Sequence, residues 1–131
     1  MRKFLVHLQS TLTSDASLST VLPPKHIGAS VRQNAKWPCL EYGIDGQPLL
    51  APEGKTVLNV IFQIYSTVGA SECWDIEERL TPLIKPTRLS SGADGFTVSR
   101  MQRVDAQSLT DQFSDWRYRL KLDYLTHLTF V

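Results

Sequence analysis

The chain has 131 residues, a length typical of one folded domain. Lys and Arg number 14 against 13 Asp and Glu, so the net charge of +1 creates no overall field of the kind that drives nonspecific binding to nucleic acid. A hydrophobic fraction of 42% and a charged fraction of 21% are close to globular averages and argue against disorder. We therefore expect a single domain spanning residues 1–131.

Neither a membrane span nor a secretion signal is indicated. The longest apolar stretch, residues 57–64, is interrupted by Asn59 and Gln63 and falls short of the roughly 18 residues that a transmembrane helix needs. The apolar run before His7 is too short for the core of a signal peptide. We expect the protein to stay in the compartment where it is made, with no membrane partner.

The N-terminal segment predicts a helix, a break and a second short helical turn. Three leucines at spacings of three and four fall on one face of the first helix: Leu5, Leu8 and Leu12. Ser14 or Asp15 is a suitable cap for the second turn, and Pro23 begins the proline pair that ends it. The leucine face needs a sheet to cover it.

Two strands and a loop are predicted next. Residues 27–33 form a short edge strand, and residues 39–44 alternate as a strand does. Residues 43–54 concentrate turn-forming glycine, proline and aspartate, which we expect to form a long loop that does not continue the sheet. That loop carries two leucines, Leu49 and Leu50, which a solvated loop does not need.

The strongest strand is predicted at residues 56–67. One face is fully apolar: Leu58, Val60, Phe62 and Ile64. The other is only half apolar: Val57, Asn59, Ile61, Gln63 and Tyr65. A half-apolar outer face is expected where a second subunit covers it, and it is equally expected on an ordinary central strand with exposed apolar residues.

The major helix is predicted to begin at Ser71 as its N-cap. Its inward residues recur at spacings of three and four: Cys73, Ile76 and Leu80. Pro82 removes a backbone hydrogen bond near the helix end, so a bend or a stop is expected there.

Two strands close the chain. The first starts at Phe96 and is predicted to bulge near Arg100. The second, residues 116–124, alternates between an apolar face and a charged one. The apolar face holds Trp116, Tyr118, Leu120, Leu122 and Tyr124, and the charged face holds Arg117, Arg119, Lys121 and Asp123. This order of elements predicts an α+β fold, an antiparallel or mixed β-sheet with helices packed on one face.

Residues that would carry chemistry are scattered. Cys39 and Cys73 lack a CxxC spacing and a nearby histidine cluster, and the three histidines have no helical partner at i+4. Nucleophile, phosphate-binding and dinucleotide motifs are missing from the sequence. We therefore predict no catalytic residue, no cofactor and no metal, although a site assembled only in space stays open as an alternative.

Five basic residues gather in the last two strands: Arg100, Arg103, Arg117, Arg119 and Lys121. A hairpin that displayed all of them would carry a basic stripe able to face DNA or another subunit. Because acidic residues are interspersed among them, a solvated face with ion pairs is the favoured interpretation.

Four segments taken together resemble one family. They are residues 12–22 (LTSDASLSTVL), 37–42 (WPCLEY), 57–67 (VLNVIFQIYST) and 116–124 (WRYRLKLDY), joined by the turn-rich loop and the major helix. In this order they resemble the tail terminator, or tail completion, proteins of long-tailed bacteriophages. Pro82 departs from the pattern expected of the family's central helix.

The resemblance implies a virion protein that is assembled in the bacterial host cytoplasm and carries no catalytic residue. It implies a hexameric ring on the finished tail tube, which stops tube growth and meets the connector of the head, with DNA only passing through the lumen. For contacts with other subunits or with the tube, the candidates are Leu49, Leu50, Val57, Ile61 and Tyr65. For charges facing the lumen or the connector, they are Arg117, Arg119 and Lys121. A nucleic-acid-binding module, a generic adaptor and a small enzyme are the alternatives.

Overall fold

The structure is a computed structural model that describes residues 2–31, 37–50, 55–111 and 115–130, with the backbone alone described for 47–50. Its helices are α1 (Arg2–Ser14), α2 (Ala16–Ser19), α3 (Ala70–Leu80) and α4 (Pro86–Leu89), with single 3-10 turns at Pro24–His26 and Thr81–Leu83. Its strands are β1 (Ile27–Gly28), β2 (Cys39–Leu50), β3 (Lys55–Ser66), β4 (Phe96–Thr110) and β5 (Tyr118–Phe130).

The five strands form one mixed sheet in the order β1-β2-β3-β5-β4. β1 runs parallel to β2, and every other pair of neighbours is antiparallel. Two long hairpins, β2–β3 and β4–β5, therefore lie side by side through the contact of β3 with β5. The predicted α+β fold with a mixed sheet is confirmed.

The main core lies between the sheet and the helices. Alternate residues of β3 are buried there, as predicted: Leu58, Val60, Phe62 and Ile64. From α1 the buried residues are Phe4, Leu8 and Leu12, whereas Leu5 is only half-buried. Phe4 packs edge-to-face on Phe96 of β4 with 5.9 Å between ring centroids, which ties the first helix to the far hairpin.

Helix ends agree with the sequence at two positions. The Asp15 carboxylate accepts a hydrogen bond of 2.9 Å from the backbone N–H of Leu18, so the predicted cap of α2 is confirmed. α3 ends at Leu80, and Pro82 lies in the 3-10 turn that follows, so the predicted stop is also confirmed.

The predicted N-cap of α3 is wrong. Gly69 holds the cap position, and Ser71 lies inside the first turn. The serine that organises this end is Ser66, whose hydroxyl accepts hydrogen bonds from two backbone amides of the β3–α3 connection, at 3.0 and 3.1 Å. The same hydroxyl donates to Glu72 at 2.7 Å, so the end of β3 and the start of α3 are fixed to one another.

The predicted loop at 43–54 is wrong for residues 43–50, and residues 51–54 lie outside the described part of the chain. β2 continues to Leu50, with Leu49 paired to Val57 and Leu50 paired to Thr56. The turn-forming residues are accommodated by a register shift between Asp45 and Leu49, where Gly46 adopts a φ of 71° that only glycine tolerates easily. The edge strand predicted at 27–33 is confined to Ile27–Gly28, and residues 32–33 lie outside the described chain.

The last strand starts later and runs further than predicted. Residues 115–117 bend before β5 begins, so the alternation does not include Trp116, which lies on the opposite face of the sheet from Tyr118. At its other end, β5 continues to Phe130. The bulge expected near Arg100 is confirmed by a register shift between Val98 and Arg100.

Candidate assembly surfaces

The face of the sheet turned away from the helices, here the outer face, carries a short apolar strip. Val57 and Ile61 of β3 lie on it and are half-buried. Leu125 of β5 pairs with Asn59, which places it diagonally between the other two. Leu125 is absent from the predicted contact residues because the last strand was predicted to end at Tyr124, although the alternation continues beyond that residue. We call Val57, Ile61 and Leu125 the apolar strip.

Tyr65, predicted to contact another subunit or the tail tube, is buried within its own chain and is not available for such a contact. Only 2% of its surface is exposed, because residues of the same chain cover it. Its ring packs on Trp116 at 5.4 Å and on Trp37 at 6.3 Å between centroids, and Cys39 is buried in the same cluster. This outer-face aromatic cluster (Trp37, Cys39, Tyr65 and Trp116) is a second small core on the side of the sheet opposite the helices.

The five basic residues of the last hairpin do not form one stripe. Arg100, Arg119 and Lys121 lie on the outer face, whereas Arg103 pairs with Tyr124 on the inner face and Arg117 precedes β5. Asp105 and Asp123 face one another across the strands between Arg100 and Lys121. The outer face is therefore a mixture of both charges, and the ion pairs predicted among them stay a prediction.

The three basic side chains predicted to face the lumen or the connector differ in their exposure and in their contacts within the chain. Arg117 is exposed. The Arg119 guanidinium lies over the Trp116 ring at 5.8 Å and donates to the Gln63 side chain at 3.4 Å, so it also has a structural role. Lys121 is half-buried in the row that contains Gln63 and Gln107.

The side chain of Arg103 links β4 to helix α3. Its guanidinium donates to the Glu77 carboxylate at 2.6 Å and to the Tyr124 hydroxyl at 2.9 Å. Partial burial disfavours the guanidinium charge, but the hydrogen bonds to Glu77 and Tyr124 outweigh it and raise the pKa of Arg103. This contact places the C-terminal half of α3 beside the middle of β4.

No protein-family model matches the sequence, and no curated protein matches it. Solved structures do match the fold. A chain from the virion of a native gene transfer agent particle superposes with a TM-score of 0.72 over 92% of this chain and 93% of that one, at 15% identity. Bacteriophage SPP1 gp17 superposes with a TM-score of 0.60 over 95% of this chain and 88% of that one, at 17% identity.

The chain has the fold of a virion protein. Because each likeness covers at least 88% of both chains, it concerns the whole arrangement of helices on a five-stranded sheet and not a single hairpin.

Within this virion-protein fold, two observations concern metal-ligating and nucleophilic side chains of the described residues. No group of three or more His, Cys, Asp or Glu side chains in that part of the chain is placed to hold a metal ion. Burial, and secondarily the charge of Glu72, raises the pKa of the Cys73 thiol to about 12, so it is protonated and a poor nucleophile at neutral pH. Across the described ranges, no helix is long and apolar enough to cross a membrane.

Proposed function

We propose that the protein is a structural, non-enzymatic component of a phage-type tail. It forms a hexameric ring at the head-proximal end of the tail tube, ends tube growth and joins the tail to the head connector. The observation that carries the proposal is the fold: it matches a chain of a virion particle over 92% of this chain. Its location is the virion, in the tail or neck, after assembly in the host cytoplasm.

A ring needs surfaces that meet other subunits. In a closed ring, one patch of each subunit contacts a different patch on the next. The apolar strip is suited to a contact with the tail tube or with a neighbouring subunit, because Val57, Ile61 and Leu125 lie together on a face that no helix of the described chain covers. The proposal also assigns Leu49 and Leu50, at the end of β2, to such a contact.

The charges near the start of β5 are assigned to the lumen or to the connector. Arg117 and Lys121 make no cation–π contact with a described aromatic residue, so they can meet a partner without disturbing the outer-face aromatic cluster. DNA passes through the lumen without being bound specifically, which is consistent with the mixed charge of the outer face and the net charge of +1.

Particles assembled without the protein test the proposal directly. We expect overlong tails or tails that lack heads in electron micrographs, because nothing ends tube growth or meets the connector. Supplying the wild-type protein in trans should restore normal tails. Tails of normal length and full head attachment in its absence would contradict the assigned role.

Introducing charge into the apolar strip should weaken assembly while leaving the fold intact. In a Val57→Glu/Ile61→Glu variant, two carboxylates must be desolvated on contact, so we expect association about tenfold weaker or more. Native mass spectrometry measures ring formation, and sedimentation with purified tails measures tube binding. Thr97→Glu, an exposed outer-face position away from the strip, is the matched control. Equal assembly of both variants would rule out the strip as a contact.

A further inference from the structure

The C-terminal half of β4 is a sheet edge that lies open. β4 is the last strand of the sheet, and residues 104–110 are all exposed. The start of the same edge is covered within the chain: the Phe96 and Ser91 backbones exchange hydrogen bonds of 3.1 Å, and the Ser90 hydroxyl accepts from the Val98 amide at 2.8 Å. The contacts that cover this edge therefore end before the second half of β4.

The backbone groups that face outward on this edge can be identified. The Asp111 amide donates to the Arg117 carbonyl, so odd-numbered residues from 105 to 111 direct their hydrogen bonds toward β5. Ala106, Ser108 and Thr110 then direct theirs away from the sheet. The Ala106 amide is occupied by the Asp105 carboxylate at 2.9 Å. The amides of Ser108 and Thr110 have no such partner among the described residues.

Long open edges are usually protected by proline, lysine, bulges or a covering segment, because they otherwise pair with another chain. Residues 105–110 (DAQSLT) contain neither proline nor lysine, and the last bulge, between Arg103 and Asp105, precedes them. β2, at the other side of the sheet, is better protected. β1 covers Leu40 and Glu41, and the register shift with Pro48 disrupts its end. Among the described residues, the regular part of β2 that lacks a strand neighbour on this side is therefore residues 42–45.

The helix beside the open β4 edge offers an apolar side chain and an acidic one. Glu77 of α3 bonds Arg103, so this flank of α3 is turned toward β4. Trp74 lies one turn earlier on the same flank, 41% exposed, and the exposed Glu78 is adjacent to it. A strand added to β4 would therefore run beneath Trp74 and near Glu78.

The helix beside residues 42–45 of β2 is α1, and its first turn is positively charged, whereas the flank of α3 beside β4 carries the negative charge of Glu78. An open depression of about 290 Å³ lies between α1 and β2, lined by Arg2, Leu5, Val6, Gln9, Ala29 and Tyr42. Val6 is largely exposed, and Lys3 adds a second positive charge to the start of α1. At each side of the sheet, an edge strand therefore lies beside a helix that exposes an apolar side chain. The charged residue next to that side chain is acidic beside β4 and basic beside β2.

We propose that β4 of one copy pairs antiparallel with β2 of the next copy, so that the sheet continues from subunit to subunit around the ring. The inference rests on the proposed ring and names the contact that closes it. Trp74 packs against the Leu5 and Val6 side of the neighbouring α1, and Glu78 approaches Arg2. The occupant of the open edge is therefore a second copy of this chain.

The direction of the strands fits this arrangement. β3 runs against β2, β5 against β3 and β4 against β5, so β4 is antiparallel to β2 whenever two copies stand side by side in the same orientation. The helix layers then lie on one side of the joined sheet and the apolar strip lies on the other. Since β4 is open near its end and β2 is open after its β1-covered start, neighbouring copies are staggered along the strands, as in any closed, tilted sheet.

Removing one outward amide tests the pairing. Ser108→Pro deletes an N–H that no described residue accepts and leaves the β4–β5 ladder complete, so the fold should be kept. We expect the dissociation constant between subunits to rise by about tenfold or more in native mass spectrometry or sedimentation equilibrium. Ser108→Ala keeps the amide and is the matched control, with wild-type assembly expected. Thermal unfolding of both variants checks the fold.

A charge exchange gives an independent test should Ser108→Pro unfold at a lower temperature than the wild type. Glu78→Lys and Arg2→Glu should each weaken association several-fold, and the double variant should recover most of the loss. A double variant no better than either single one would overturn the contact.

The outcomes separate the two proposals. A ring of wild-type mass and stability from Ser108→Pro would overturn the edge pairing while the ring stands. A wild-type dimer that Ser108→Pro converts to a monomer would overturn the head-to-tail arrangement in favour of β4 pairing with β4. A wild-type protein that forms no ring, either alone or on purified tails, would remove both proposals together.

Discussion

Replacing Phe62 with alanine is expected to lower the free energy of unfolding by about 3–5 kcal/mol. Phe62 lies at the centre of β3, is fully buried between sheet and helices, and packs edge-to-face on Tyr124 at 5.6 Å between centroids. Truncation removes that aromatic contact and leaves a cavity that the surrounding residues fill only partly. Urea unfolding followed by circular dichroism measures the change.

Ile61→Ala is the matched control, one position away on the outer face. Ile61 is half-buried, so we expect a loss of less than about 1.5 kcal/mol in the isolated protein, while ring or tube association should weaken if the apolar strip is a contact. The pair separates the two faces of one strand: we expect the inner face to determine stability and the outer face to contribute to assembly. Comparable losses of stability from both variants would contradict this two-sided description of β3.

The elements of the fold were largely predictable because they depend on local periodicity. The period of two in residues 56–67 and the spacing of Cys73, Ile76 and Leu80 both identified the correct buried faces. The extension of β2 through Gly46 and Pro48 was not predictable in the same way. Turn-forming residues normally end a strand, and here pairing with β3 on both sides of a register shift keeps them in the sheet.

The candidate surfaces were less predictable because they depend on which strands become neighbours. Val57 and Ile61 were assigned to the outer face by alternation alone, and the structure places them there. Tyr65 follows the same alternation but is buried, since Trp116 reaches it from a bend that precedes β5. That β4 is an edge strand follows only from the sheet order, so the open edge at 104–110 could not be recognised from the sequence.

Replacing Trp116 with alanine is expected to lower the free energy of unfolding by about 3 kcal/mol, the lower end of the range for a buried tryptophan. Trp116 is 7% exposed and covers Tyr65, while the Arg119 guanidinium lies over its ring. Without it, Tyr65 gains access to solvent and Arg119 loses a cation–π contact that is worth about 0.5–1 kcal/mol at an exposed site. Denaturant unfolding measures the loss, and acrylamide quenching of the tryptophans that remain shows whether Trp37 has become accessible.

Trp74→Ala is the matched tryptophan control, because Trp74 lies 41% exposed on the flank of α3. We expect Trp74→Ala to lower the free energy of unfolding by less than about 1 kcal/mol and to weaken association between copies. For Trp116→Ala we expect the opposite: a large loss of stability and little direct effect on the contact between copies. This contrast follows from where each indole lies: one closes a small core on the outer face within a subunit, and the other flanks a sheet edge that no described residue covers. If Trp74→Ala destabilised the monomer as much as Trp116→Ala, its flank would belong to the folded core and would not be free to receive a neighbouring copy.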